Sequence, residues 1–222
     1  MTLEYERTFM KHRDFGPTPV HITDRLYGSI PRAVIAKHNQ AMRERLAQIA
    51  RTTKHLPINE RRKAQQVALT KLRNEQEAKQ EKWLHKAANG PYYLRNPAIA
   101  RLVIEAWKYQ TKARGLVVIA ICVMSNHAHI LASGPASGLV VPCGPVLNSA
   151  KTYSARMANR ILGRTGNPFW EHTYFDRDVR SGTFMTVLWY ILNNPVKAGF
   201  VKDWRDWPHT YLNPEYTGLV SD

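Results

Sequence analysis

An α+β domain on an antiparallel sheet is the fold class that the sequence predicts, on three observations. Strand-like and helix-like patterns follow in the order strand, helix, strand, strand, helix rather than in strict alternation. Two apolar runs in the middle of the chain, 116–124 and 127–133, are separated only by Ser125-Asn126, a tight-turn signal that joins antiparallel neighbours. The 222 residues include 44% apolar positions with six Trp, ten Tyr and six Phe, enough to fill one core.

Each element has its own warrant. Val20, Ile22 and Leu26 alternate in PTPVHITDRLYGSI, a short strand closed by Gly28. Pro31 opens a helical stripe of Val34, Ile35, His38, Met42, Leu46 and Ile49. Residues 52–88 are polar and basic with scattered apolar positions, which predicts a second helix. Asn96-Pro97 pairs a capping side chain with proline at the first helical position, and Ile99, Leu102, Val103, Ala106 and Trp107 then mark one face of a helix to about Lys112. Gly115 ends it. LVVIAICVM (116–124) is a strand buried on both faces, and His127 to Ser133 returns beside it. After a Gly/Pro-rich loop at 134–145, which holds Cys143, Val146, Ala150, Tyr153, Met157 and Ile161 line a helix that stops at Gly163. A last helix from about 183 carries Phe184, Val187, Leu188, Ile191 and Leu192 to Asn194-Pro195, and the aromatic tail is irregular. Tyr153, Trp170 and Tyr190 are expected to pack in the interior, and Cys122 is a plain buried residue. The whole chain, 1–222, is expected to form one domain, with 31–90 as a basic helical arm inserted within it.

Charge narrows the function. The chain has 32 Lys+Arg against 17 Asp+Glu, a formal +15, and such a surface attracts polyanions, of which nucleic acid is the commonest in a cell. Residues 31–90 hold 14 Lys/Arg and 5 Asp/Glu, so +9 of the +15 lies in the arm. The start, MTLEYERTFMKHRDFG, has neither leader nor anchor character. The longest apolar run is about half the length of a membrane span, so no membrane partner is expected. Two cysteines fit a reducing, cytoplasmic setting without a disulfide framework.

His127 and His129 stand at i and i+2 of one strand. Their side chains share a face with Cα atoms about 6.6 Å apart, so two imidazoles can converge on one divalent ion. Two ligands need a third from elsewhere and leave positions for substrate oxygens. A metal ion beside a basic groove suits phosphodiester chemistry, with tyrosine as a candidate nucleophile.

The segment MSNHAHIL (124–131) resembles the M-P-N-H-V-H-L-L segment of single-tyrosine HUH transposases, in particular the REP-associated tyrosine transposase branch of the insertion-sequence transposase superfamily. KTYSARMANRILGRTGNPFWEHTYFDRDVR (151–180) is similar to that branch's K-S-F-T-A-R to Y-F-D block, and WYILNNPVKAGFV (189–201) to its R-Y-I-x-N-N-P-V-K-A-G-L-V block. Ser125 replaces the usual Pro of the turn, and the loop 133–145 has no counterpart. The resemblance implies a ferredoxin-like antiparallel sheet with packed helices and a divalent ion, Mg²⁺ or Mn²⁺, on His127 and His129. It also implies a tyrosine that attacks single-stranded DNA, leaving a 5′-phosphotyrosine link and a free 3′-OH. The tyrosine of the Y-F-D block falls on Tyr174, the expected nucleophile. The third ligand is open among His172, Asp176 and Asp178, with Asp176 matching a family position. Arg156, Arg160, Arg164, Arg177 and Arg180 surround the matched block as expected phosphate contacts.

The expected function is therefore a metal-dependent single-strand DNA endonuclease and strand transferase acting at hairpin-forming repeats. Its site is assembled within one chain or in a homodimer that exchanges tyrosine helices. A hairpin DNA- or RNA-binding protein on the same fold that no longer cuts is the alternative, followed by a metal phosphoesterase that uses water.

Overall fold

The computed structural model describes residues 12–85 and 90–221. Residues 1–11 of the polar N-terminal stretch and residues 86–89 of the expected arm lie outside it. The described backbone divides into two compact units, one with residues 30–85 and 90 and the other with residues 12–29 and 91–221.

The larger unit is an α+β fold on a five-stranded antiparallel sheet of order β4-β1-β3-β2-β5. Its strands are β1 (Val20–Arg25), β2 (Val117–Val123), β3 (His127–Ser133), β4 (Phe175–Asp178) and β5 (Thr210–Leu212). With helices α3 (Pro97–Arg114) and α4 (Cys143–Ile161) as the crossovers, the order β1, α3, β2, β3, α4, β4 is the ferredoxin-like arrangement. β5 extends it at the β2 edge, and α5 (Phe184–Leu192) and the short α6 (Asn194–Lys197) follow β4.

The predicted starts and stops form as their chemistry requires. The Asn96 side chain accepts from the Ala98 backbone N–H at 3.0 Å, and Gly115 closes α3 in the left-handed region at φ 68°. The hairpin also forms: the Met124 N–H donates to the His127 carbonyl at 2.8 Å, and Cys122 stands opposite His129. Between Val118 and Ala120 the register slips. This bulge leaves Ile119 and Ala120 both in the cluster beneath α5.

Alternation along β1 creates two unlike faces. Val20 and Ile22 join Ile121, Val123, Ala128 and Ile130 beneath α3 and α4. The opposite face, with Ala120, Cys122 and Leu131, is covered by Val187, Leu188, Ile191 and Leu192 of α5. Two layers of helix therefore bury all six residues of β1, polar ones included. Gly134 marks a close backbone approach, since a Cβ there would lie 2.5 Å from the Phe15 carbonyl oxygen and 2.9 Å from that of Leu139.

Four features depart from expectation. Phe175–Asp178 forms an edge strand, and Thr210–Leu212 adds another in the tail expected to be irregular. Cys143 is the buried first residue of α4 rather than part of a loop. Tyr153 is half exposed instead of interior, because it lies on the solvent side of α4.

In the smaller unit, α1 (Arg32–Thr53) and α2 (Ile58–His85) form the helical pair predicted for the arm. Pro57 precedes α2, and the Arg61 guanidinium donates to the Leu56 carbonyl at 3.0 and 3.2 Å across the turn. Only Ile30, Leu46, Thr53, Leu72 and Leu84 of its described residues are buried, as the polar sequence demands. Among the described residues no helix is long and apolar enough to cross a membrane.

Candidate active site

His127 and His129 lie on the sheet face covered by α5. Antiparallel pairing places Arg25 opposite His127 and Thr23 opposite His129, so the odd-numbered side chains of β1 share the histidine face. The Nε2 atoms of His127 and His129 are 3.1 Å apart. His127 Nδ1 is 2.7 Å from Asn126 Oδ1, an acceptor, which assigns the ring proton to Nδ1 and makes Nε2 the acceptor in its contact with His129 Nε2. His129 Nδ1 lies 3.1 Å from both Thr23 Oγ1 and His21 Nε2.

These two nitrogens fit a divalent ion. Both are imidazole nitrogens, donors that would suit a divalent ion of the first transition row or Mg²⁺, and these two would be the ligands from the chain. His21, wholly buried, extends the row; burial first and the Arg177 charge second push its pKa down to about 3, so it is neutral. Arg177 pairs with His21 across β1 and β4 and lies on this face.

Tyr190 completes the cluster. α5 lays its ring edge-on to His129 and His21, with centroids 5.7 and 5.8 Å away. The Lys197 ammonium sits 4.4 Å from the centre of the same ring. The Tyr190 carbonyl accepts from the buried Asn194 side chain at 2.9 Å, which fixes the end of the helix. The sequence reading treated Tyr190 as a packing residue; its signal was its place in WYILNNPVK, one helical turn before Asn194.

Tyr174 and Asp176, expected beside the histidine pair, are on the other face. Asp176 pairs with Ile22 and Asp178 with Val20, the apolar parity of β1, and Tyr174 continues that parity two residues earlier. The Tyr174 ring stacks on His12 at 3.9 Å, and its hydroxyl is 3.4 Å from Cys143 Sγ at the start of α4. Burial, then the Cys143 contact, raises the pKa of its phenol well above the ordinary tyrosine value. The Asp176 carboxylate is engaged by His12 Nδ1 at 3.1 Å and by the Arg13 backbone N–H. Asp178 pairs with Arg13 at 3.3 Å, and His172 is exposed. Among the described residues no group of three or more His, Cys, Asp or Glu is placed to hold an ion.

Tyr174's neighbourhood is structural. Lys151 of α4 reaches Asp24 at 2.9 Å and the Glu171 carbonyl at 2.7 Å, and burial raises the Asp24 pKa while Lys151 draws it back. Trp170 is nine-tenths buried and donates to Ser154 Oγ at 2.9 Å, the core role expected of it.

The five arginines do not form one patch. Arg156 and Arg160 are exposed on α4, and Arg180 is exposed just before α5. Arg164 lies over Tyr93, 4.5 Å from the ring centre. Arg177 alone shares the histidine face.

No family model matches the chain, and no curated protein matches it. Among solved structures, a REP-associated tyrosine transposase bound to a REP hairpin aligns over 90% of this chain and 79% of its own, at 13% identity and a TM-score of 0.52. The chain is built on the fold of that REP-associated tyrosine transposase.

Proposed function

We propose that the chain nicks and rejoins single-stranded DNA at hairpin-forming repeats in the cytoplasm, with Tyr190 as nucleophile and His127 and His129 as ligands of a divalent ion. The observation that carries this reading is the meeting of two imidazoles whose Nε2 atoms are 3.1 Å apart with a partly exposed tyrosine whose ring centroid is 5.7 Å from that of His129. The hairpin-bound partner of the same-fold structure supports the substrate class. Mg²⁺ or Mn²⁺, when bound at the pair, supplies Lewis-acid polarisation of a phosphoryl oxygen.

The chain's own groups do the rest. Asn126 holds the His127 imidazole in the tautomer that presents Nε2, and Thr23 and His21 lie against Nδ1 of His129. Lys197 places positive charge against the Tyr190 ring and favours the phenolate as the phenolic proton leaves. The phenol gives its proton to water as its oxygen bonds to phosphorus, the bond from phosphorus to the 3′ oxygen breaks, and that oxygen takes a proton from water and leaves as a 3′-OH. The phosphotyrosine keeps the bond's energy, so a 3′-OH can attack it and rejoin the strand.

Incubation with Mn²⁺ and a labelled hairpin with single-stranded flanks tests this. An SDS-resistant adduct is expected from the wild type and from Tyr174→Phe, and none from Tyr190→Phe. An adduct that survives Tyr190→Phe and disappears in Tyr174→Phe overturns the assignment.

A second reading, a hairpin binder that does not cut, draws on the burial of both histidines, each 1% exposed. It predicts that His127→Ala and His129→Ala leave DNA affinity unchanged and that no adduct forms with any ion.

A further inference from the structure

Tyr109 and Tyr153 are 60% and 50% exposed, and both line a cleft of about 620 Å³ between α3 and α4. We propose that this cleft is a second nucleic-acid site, one that takes an unstacked base of a single strand against the two tyrosines. The inference rests on reading the chain as one that acts on nucleic acid, and it adds a surface behind the sheet, away from the histidine face.

The amphipathic pattern of the two helices leaves these rings without a structural task. α3 buries Ile99, Val103, Ala106 and Trp107 and α4 buries Val146, Leu147, Ala150 and Ala158, all in the core beneath the sheet. Tyr109 and Tyr153 face the other way, outside that core, with half or more of their surface open to solvent. A nucleobase offers a ring face of matching size, and stacking of this kind is tolerant of sequence.

The rest of the cleft suits a nucleotide. At its floor the Gln110 side-chain amide donates to Ser149 Oγ at 3.1 Å, leaving the Ser149 O–H proton for the edge of a base. Gln110 is itself held by the Ala106 carbonyl and by Arg114, at 3.2 and 3.1 Å. Lys108 neutralises Glu105, the acid in the lining, at 3.1 Å. Lys112 at the cleft and the exposed Arg101, Arg156 and Arg160 on the same two helices then remain for phosphates. A surface of this charge repels a second copy of itself and attracts a polyanion. The volume lies within the range of about 300–1,000 Å³ usual for small-ligand sites.

The test uses the full chain and a fluorescent oligo-dT carrying 5-iodouracil, which cross-links to stacked aromatic side chains on irradiation. Cross-links are expected on the peptides holding Tyr109 or Tyr153. Tyr109→Ala and Tyr153→Ala should each weaken oligo-dT binding about 5- to 150-fold, with the Phe variants near wild type and a duplex of equal length bound unchanged. Both positions face solvent, so the variants should keep their melting temperature. Wild-type affinity in both Ala variants with cross-links only elsewhere overturns the proposal. So does equal loss of duplex binding, or a fall from dimer to monomer in sedimentation, which would assign the face to a copy of the chain. Tyr190→Phe separates the two readings, because it should abolish the adduct yet keep oligo-dT bound in the cleft. Binding dependent on Tyr109 and Tyr153 without any adduct from wild type overturns the nicking reading alone.

Discussion

His127 presents its Nε2 because Nδ1 is occupied by Asn126, so the amide next to the pair carries part of any metal affinity. Asn126→Ala should weaken Mn²⁺ binding about 10- to 100-fold by EPR titration while both imidazoles remain. His127→Ala should remove the binding altogether. On the reverse face, Lys151 and Asp24 form a buried pair at 2.9 Å, and Lys151→Ala strands the carboxylate. Loss of about 3 kcal/mol is expected at pH 8 from chemical denaturation. The deficit should shrink toward pH 5. Burial raises the folded-state pKa of Asp24 above its unfolded value, and loss of Lys151 raises it further. The folded variant takes up a proton before the unfolded chain does, so stability falls as pH rises through that interval and stays low above it. A deficit that grows on acidification would show that the carboxylate was not left buried and charged.

Among the elements, β4 decides the site. It is an edge strand of four residues, FDRD, whose alternation no apolar pattern advertises, and its pairing with β1 sends Asp176 one way and Arg177 the other. A motif read without that register joined Tyr174 and Asp176 to histidines that lie across the sheet. Helix α5 was legible as an apolar stripe, but the same stripe hid Tyr190, since a helix that packs on a sheet also carries side chains at the border of its buried face. The crossing at Gly134 is a further element-scale constraint, because backbone carbonyl oxygens crowd the place a methyl group would take. Gly134→Ala should cost about 2–3 kcal/mol in denaturant melts, against little change for Gly144→Ala, where a Cβ meets nothing within 4 Å.

For the whole molecule, the +15 charge sets how the chain meets a polyanion, and the arm carries +9 of it between residues 31 and 90. Replacing Arg61, Arg62 and Lys63 by Gln should lower the slope of log affinity against log salt by about 0.7–0.9 for each lost phosphate contact, measured by fluorescence anisotropy with single- and double-stranded probes. An unchanged slope would assign the arm's charge to solvent. Charge, the central hairpin, the capped helix at Asn96, the arm and the histidine pair were all set by local sequence, because each depends on neighbours within a turn or a strand: a capping oxygen two residues away, a side-chain period of two, a run of like charge. Which tyrosine meets the histidines was decided only by tertiary structure. Residues 129 and 190 are brought together by the packing of α5 on the sheet, and 129 and 174 are kept apart by strand parity. Such choices depend on register and layer order, which no spacing along the chain encodes.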